Sequence, residues 1–191
     1  MKLVTIAGSP RKNGNTTQVL GYLEDLIGDQ VEMETIRIAA RRVNGCLGCN
    51  TCKKTLDKPG CIQEDDAVAL LERLWAADLV LYASPLYCWG FTAQIKAFMD
   101  RHYCMVKGYG TSDYHSLLKG KPIALLVTCA GPIENNADLI QEMFARFSSY
   151  CQCKVVGKFI VPFSTDPQTF PARAMETAKA MAADILAAMN I

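Results

Sequence analysis

Four cysteines lie close together in the sequence, at a spacing that lets several thiolates reach one centre. They follow the pattern Cys46-x2-Cys49-x2-Cys52-x8-Cys61. Three thiolates at this spacing are typical of a [4Fe–4S] ligand run whose fourth ligand arrives from a loop. Two alternatives stay open: a zinc site, although zinc motifs tend to come as two separated C-x2-C pairs, and a loop of free thiols.

A polar loop, residues 8–17 (GSPRKNGNTT), is a second candidate site because it leads from an apolar run directly into a helical stretch. Its glycines, short hydroxyl and amide side chains and helix N-terminus can present backbone N–H groups to an anion such as phosphate. The loop is not a nucleoside triphosphate loop, since Asn15 rather than a lysine follows Gly14, and it lacks the G-x-G-x-x-G pattern of dinucleotide sites. The alternative is a simple polar turn.

Two further loops suit a flat heterocycle. Residues 84–91 (SPLYCWGF) form an aromatic turn after an apolar run, and residues 128–132 (TCAGP) offer small side chains after the next one. Aromatic and apolar walls with main-chain partners are typical of sites for ring systems, and small residues let the main chain approach a ring closely. For the aromatic turn, a satellite hydrophobic cluster is the alternative.

These loops need a scaffold, and the apolar patterns predict one. Five stretches predict strands. Residues 2–8, 78–84 and 122–129 are near-continuous apolar runs, residues 155–161 form a similar run interrupted by Gly157 and Lys158, and residues 31–38 alternate apolar with charged residues. Helical spacing occupies the intervals, at about residues 15–27, 68–75, 91–101, 139–147 and 174–189. Strands alternating with helices predict a flavodoxin-like, three-layer α/β sandwich with a five-stranded parallel sheet of order 2-1-3-4-5. Ligands of such sheets bind at the carboxyl ends of the strands, near the switch point.

Length and charge restrict the function. The 191 residues suit a single domain over residues 1–191, and a formal net charge of +1 gives no field that would hold a nucleic acid. No apolar run is long enough to span a membrane, and the first residues lack the apolar core of a signal peptide. We therefore expect a cytoplasmic protein without nucleic-acid or membrane partners.

Two connections are too long to be simple links. Residues 39–64 form a cysteine-rich insertion, and residues 102–120 form a long loop that contains three tyrosines. The chain has nine cysteines, an odd number, with four of them clustered in the first connection. This distribution fits one local site plus scattered buried thiols better than a disulfide framework.

The sequence resembles the NADPH-dependent FMN reductase family of the flavodoxin-like superfamily, near its iron–sulfur flavoprotein branch. The resemblance lies in residues 8–17, in SPLYCWGFTAQIKAFMDR at 84–101 and in TCAG at 128–131, and it follows the strand order over nearly the whole chain. It implies that FMN is bound by its phosphate at the first loop and by its isoalloxazine ring at the other two. The implied cofactor-binding residues are Ser9, Arg11, Asn15, Thr16, Thr17, Pro85, Leu86, Tyr87, Trp89, Gly90, Thr128, Ala130 and Gly131.

The resemblance also implies an activity. An FMN-dependent oxidoreductase would pass electrons from NAD(P)H or another reductant through the flavin to a small acceptor or to a cluster on Cys46, Cys49, Cys52 and Cys61. The iron–sulfur branch carries a compact motif at this place in the chain, although the last gap here, eight residues, is longer than usual. Flavin performs the electron chemistry itself, so we expect no catalytic side chain. A homodimer or homotetramer is implied. The alternative function is a non-catalytic electron carrier, which usually has an acidic docking surface that this neutral chain lacks.

Overall fold

The computed structural model describes all residues, 1–191, and contains a main sheet of five parallel strands flanked by helices and a small sheet of two antiparallel strands. The strands are β1 (Lys2–Ala7), β2 (Glu32–Arg37), β3 (Leu79–Pro85), β4 (Val106–Lys107), β5 (His115–Ser116), β6 (Pro122–Thr128) and β7 (Lys154–Val161). The helices are α1 (Asn15–Ile27), α2 (Ala67–Ala76), α3 (Ala93–Arg101), α4 (Asp138–Tyr150) and α5 (Phe170–Met189). The main sheet has the order β2-β1-β3-β6-β7. This is the predicted order 2-1-3-4-5, because β4 and β5 belong to a separate small sheet.

The helices form two layers, one on each face of the sheet. On one face, α1 and α5 bury residues such as Leu23 and Met181 against β1, β3 and β6. On the other face, α2, α3 and α4 bury Leu71, Phe98 and Phe144. Because both faces are covered, the central strands are apolar on both sides, which explains their near-continuous hydrophobic runs. None of the five helices combines the length and apolar composition needed to cross a membrane.

The register of the main sheet brings the carboxyl ends of four strands, β1, β3, β6 and β7, to the same level. Ala7 pairs with Ala83, and one residue later the Gly8 N–H donates to the Ala83 carbonyl at 2.8 Å. Pro85 pairs with Thr128, and Thr128 pairs with Val161. The loops that follow β1, β3, β6 and β7 therefore leave the sheet at one edge.

Residues 102–120, predicted as one long loop, contain regular structure, and this prediction was wrong in that respect. A 3-10 turn over His102–Met105 leads into β4, which pairs antiparallel with β5 so that Val106 lies opposite Ser116. Two short strands separated by a glycine-containing turn carry too few residues for a periodic signal, so the sequence pattern gave no sign of them. The cysteine-rich residues 39–64 include only short 3-10 turns, one of them over Thr51–Lys54.

His102 is fully buried among aromatic rings. Its Nε2 lies 2.8 Å from the Tyr82 hydroxyl oxygen, and its Nδ1 lies 3.1 Å from the Phe98 carbonyl oxygen. A carbonyl oxygen only accepts, so Nδ1 carries the proton and Nε2 accepts the hydrogen bond from Tyr82. Burial lowers the pKa of His102 to about 4, which keeps the ring neutral in the folded chain.

Candidate functional site

A crevice of about 190 Å³ opens at the carboxyl edge of the main sheet, where the four loops meet. It contains nine of the residues that the sequence singled out, and four further ones. The residues that line it are Ser9, Arg11, Gly14, Asn15, Thr16, Pro85, Leu86, Tyr87, Thr128, Cys129, Ala130, Ser164 and Thr165. Residues from loops more than 150 positions apart therefore converge on one space, as the parallel register requires.

One end of the crevice is suited to an anion. Helix α1 begins at Asn15, and no side chain caps its N-terminus and no acidic residue lies in its first turn. The first N–H groups of a helix have no partner within the helix, and the helix dipole adds partial positive charge there. The Thr16 hydroxyl lies inside, 2.7 Å from that of Thr128, and Ser9 contributes a second buried hydroxyl. This donor set fits a phosphate group.

The end of β1 is held in place by a close approach of its backbone to α3. The Thr92 hydroxyl donates to the Gly8 carbonyl oxygen at 3.0 Å and caps α3. A Cβ atom on Gly8 would lie 2.3 Å from Cδ1 of Ile95, which is fully buried. The absence of a side chain at Gly8 therefore lets the backbone after β1 pass this close to α3, and any larger residue would require Ile95 to shift.

The other end of the crevice is bordered by a tight aromatic turn. Tyr87 and Gly90 exchange two backbone hydrogen bonds, of 3.1 and 3.0 Å, around Cys88 and Trp89. Both central residues have positive φ, 46° and 60°, as in a type I′ turn. Tyr87 lines the crevice and is 45% exposed, whereas Trp89 is 59% exposed and does not line it. The turn gives the crevice an apolar rim at its open side.

Four residues from the sequence prediction lie outside the lining of the crevice: Thr17, Trp89, Gly90 and Gly131. Thr17 instead borders a separate open depression with Asn13 and Gln18. The structure adds Gly14, Cys129, Ser164 and Thr165. Ser164 follows β7, and its N–H donates to the Cys129 carbonyl oxygen at 2.8 Å. The sequence did contain a signal for Ser164 and Thr165, since they lie three and four residues after the strand predicted at residues 155–161.

The four clustered cysteines line one small pocket. Cys46 and Cys49 are exposed, Cys52 is buried and Cys61 is half-buried. In this conformation, no three His, Cys, Asp or Glu side chains of the chain are grouped closely enough to hold a metal ion. Burial raises the pKa of Cys52, and Lys53 and Lys107 act on it in the opposite direction.

The donors around this pocket suit thiolate or sulfide acceptors. Arg101, only 1% exposed, donates from Nη2 to Cys61 Sγ at 3.2 Å, and the Gly48 N–H donates to Cys46 Sγ at 3.4 Å. The Nε of Arg101 is buried without an acceptor. Four thiols with such donors fit a metal–sulfur group chemically, because hydrogen bonds to the sulfurs are part of iron–sulfur sites.

Asp65 fixes the Arg101 guanidinium. Arg101 Nη1 lies 2.6 Å from Asp65 Oδ2, and the same atom donates to the Asn44 carbonyl oxygen at 3.0 Å. Burial alone would raise the pKa of Asp65, but the hydrogen bonds from Arg101 and from the Asn44 and Ala67 N–H groups lower it below its ordinary value. Asp65 is therefore an ionised partner inside the fold.

Comparisons with known proteins identify the family of the chain. Residues 1–168 match the family model described as NADPH-dependent FMN reductase. An iron-sulfur flavoprotein of Archaeoglobus fulgidus is 39% identical over 132 residues, 69% of this chain and 56% of that protein. Another from Methanocaldococcus jannaschii is 38% identical over 102 residues, 53% of this chain and 51% of that protein. The chain thus spans about half the length of these relatives.

Solved structures share the fold at low identity. The NAD(P)H:quinone oxidoreductase from Methanothermobacter marburgensis superposes with a TM-score of 0.75 at 13% identity, over 95% of this chain and 98% of that one. An FMN-dependent NADH-azoreductase from Bacillus anthracis, solved in complex with FMN, gives a TM-score of 0.68 at 14% identity, over 96% and 98%. At this identity the likeness concerns the fold.

Proposed function

The chain belongs to the NADPH-dependent FMN reductase family, and from this premise we propose that it is an oxidoreductase that binds FMN in the crevice. NAD(P)H is the proposed reductant, and a small molecule or the cysteine pocket is the proposed acceptor. The observation that carries the proposal is the convergence, in one space, of the uncapped α1 N-terminus with the turn at Tyr87 and the loop at Thr128. The first suits a phosphate and the other two suit a ring.

Each part of the crevice has a distinct proposed task. The α1 N-terminus, Ser9 and Thr16 bind the phosphate, with Arg11 adding a positive charge at the entrance. Leu86 and Tyr87 orient the ring and exclude water from one side of it. Bound FMN supplies the exchange of electrons, singly or as hydride, so the protein is needed for binding, orientation and electrostatics.

We propose that Cys46, Cys49, Cys52 and Cys61 hold a [4Fe–4S] cluster. The donor set of the pocket, the hydrogen bonds from Arg101 and Gly48 to two of the sulfurs, and the relatives named iron-sulfur flavoproteins support it. Analysis of iron and acid-labile sulfide in anaerobically purified protein separates the cluster from zinc and from free thiols. Zinc without sulfide in the protein would mean a zinc site instead of a cluster. Absence of both iron and zinc would mean that the four cysteines are free thiols.

The flavin proposal is tested with a matched pair of isosteric substitutions. Asn15→Asp puts a negative charge inside the crevice, whereas Asn13→Asp puts the same charge on an exposed residue of the same loop, outside the lining. We expect Asn15→Asp to weaken FMN binding about 100-fold and Asn13→Asp to change it less than about threefold, measured by flavin fluorescence titration. Riboflavin, which lacks the phosphate, is the control ligand, and its affinity should change little in both variants. Equal losses for FMN and riboflavin would contradict phosphate binding at α1.

Anaerobic stopped-flow reduction separates an enzyme from an electron carrier. We expect NADPH or NADH to bleach the bound flavin within seconds. A flavin that stays oxidised for minutes with both nucleotides would favour the carrier.

We also propose that a second subunit closes the open rim at Tyr87 and Trp89, in a homodimer or homotetramer. A monomer in analytical sedimentation at micromolar concentration would contradict this proposal of a homo-oligomer.

A further inference from the structure

Two lysines join the cysteine-rich segment, residues 39–64, to the neighbouring residues 103–107, and neither has a carboxylate partner. Lys107, in β4, is fully buried, and its Nζ donates to the carbonyl oxygens of Lys58 at 2.9 Å and Cys52 at 3.2 Å. Lys53, from the cysteine segment itself, donates in the opposite direction, to the carbonyl oxygens of Tyr103 at 2.5 Å and Val106 at 2.6 Å. The two lysines therefore cross-link the segment to β4 and the turn before it.

The charges in this region do not balance. Of the three cations in this region, Arg101 lines the pocket and forms a salt bridge with Asp65, whereas the two lysines bind the main chain behind the pocket and take part in no salt bridge. Asp57 is the one carboxylate whose charge raises the pKa of Lys107, and Asp57 is exposed to solvent. Carbonyl oxygens satisfy the hydrogen-bonding capacity of an ammonium group but supply no negative charge. A buried charge without a partner is costly, so a compensating anion is expected close to Lys107; Lys53 is half-buried, and its Nζ also lies 3.5 Å from the centroid of the Tyr103 ring.

The groups that could provide this negative charge are the neighbouring thiols. Burial lowers the pKa of both lysines, whereas negative charge on Cys52 or Cys104 raises it, and negative charge on Cys46 raises that of Lys53 as well. Cys104 is buried outside the four-cysteine motif, and burial raises its pKa to about 12, so it stays a neutral thiol. Four thiolates around a divalent ion or a cluster would carry the net negative charge that the two lysines lack.

We infer that Lys53 and Lys107 are the counter-ions of an anionic tetrathiolate centre in the cysteine pocket, where they stabilise its more negative charge states. This inference rests on the cysteine half of the proposed function. Reduction adds an electron and makes such a centre more negative, so nearby fixed positive charge raises its reduction potential. The lysines act through the cysteines and are positioning residues. Neutral side chains could bind the same carbonyl groups, so a purely structural role would not require the charge.

The test uses the full chain, freed of native metal under anaerobic conditions and titrated with Co²⁺ alone. Binding is read from the thiolate-to-cobalt charge-transfer band. Lys53→Met removes one charge together with the two hydrogen bonds from Nζ, whereas Lys107→Gln removes a charge but keeps an N–H donor. Lys54→Met is the control for the loss of a charge alone, because Lys54 lies in the same 3-10 turn, is exposed and makes no hydrogen bond. We expect Lys53→Met and Lys107→Gln each to weaken Co²⁺ binding about tenfold, Lys54→Met to change it less than about twofold, and Lys53→Arg to restore it.

The potential is the second readout. In protein that carries its native centre, we expect Lys53→Met to lower the reduction potential relative to wild type, and Lys54→Met to leave it unchanged. Circular dichroism shows whether each variant is folded. If Lys107→Gln does not fold, Lys53→Gln replaces it, because it removes the charge of Lys53 and keeps an N–H donor for the same carbonyl oxygens.

The outcomes separate the inference from the function on which it rests. Unchanged Co²⁺ affinity and potential in folded Lys53→Met would overturn the counter-ion role and leave the cysteine centre intact. A wild-type chain that gives no thiolate-to-cobalt band has no tetrathiolate centre, which would overturn both. The FMN titration of Asn15→Asp reports on the flavin half independently of either result.

Discussion

The crevice and the cysteine pocket are built in different ways. The crevice is formed by loops that leave four aligned strands of one sheet, and its positions follow from hydrogen bonds of the main chain. The cysteine pocket lies in residues with no long regular element, and side chains hold it: Arg101, Lys107 and Lys53 each bind carbonyl oxygens across it. We therefore expect the crevice to tolerate most side-chain substitutions in the sheet beneath it, and the cysteine pocket to depend on each of its three cations.

The largest expected effect comes from removing the carboxylate that fixes Arg101, because this change should damage the cysteine pocket and leave the crevice intact. Asp65→Asn leaves a buried guanidinium without its ion partner, and we expect a loss of about 3–5 kcal/mol in the free energy of unfolding, measured by urea denaturation. The same change at the exposed Asp25 is the control and should cost less than about 0.5 kcal/mol. The folded fraction of Asp65→Asn should keep wild-type FMN affinity, because its damage is confined to the cysteine pocket. A loss below about 1 kcal/mol would show that Arg101 does not need Asp65.

A second, smaller effect is the loss of stability at low pH that the burial of His102 causes. His102 titrates with its ordinary pKa of about 6.5 in the unfolded chain, but burial lowers its pKa to about 4 in the folded chain. The unfolded state therefore binds more protons between these values, and stability present above pH 6.5 is lost as the pH falls towards 4. The shift corresponds to about 3 kcal/mol.

The measurement for this effect is a difference between two proteins. His102→Gln keeps an amide in place of the ring but cannot titrate, so the stability advantage of wild type over His102→Gln should shrink as the pH falls from 7 to 4. Urea denaturation at several pH values gives both curves. A constant difference across this interval would mean that His102 is not buried in its neutral form.

The smallest expected effect on stability comes from a substitution beneath the crevice. Gly8→Ala places a Cβ against the buried Ile95, and we expect a loss of about 1–3 kcal/mol together with weaker FMN binding. Gly21→Ala is the matched control, because a Cβ there has open space in the middle of α1, and it should gain about 0.5–1 kcal/mol. Thermal denaturation and FMN titration measure the two effects. Co²⁺ binding to the cysteine pocket should not change in either variant, and a change in Gly8→Ala would show that the two sites are coupled.

The sequence was sufficient for the main sheet because each buried strand is an apolar run with a sharp polar end. It placed Ser9, Tyr87 and Thr128 at one edge for the same reason, since parallel strands share that edge. It could not separate Thr16 from Thr17. In a helix, successive side chains differ in direction by about 100°, and only the register of α1 against β6 decides which one enters the crevice.

The cysteine motif was visible in the sequence, but its supports were not. Lys53 and Lys107 are 54 positions apart, and in the sequence each is one lysine among many that would ordinarily be solvated. Their burial arises from the contact between the cysteine segment and the small sheet of β4 and β5, which no periodic pattern predicts. Arg101 was visible as the last residue of α3, but not its partner Asp65, which comes from a different loop.

The aromatic turn at the crevice has a consequence for how this chain could change under selection. Asparagine followed by glycine is the least strained pair for a type I′ turn, yet Cys88 and Trp89 occupy the two central positions with positive φ. A population of variants selected for heat resistance alone would be expected to accumulate Cys88→Asn and Trp89→Gly. Persistence of the indole under such selection would indicate that the side chain, and not the backbone of the turn, is what the chain retains at this position.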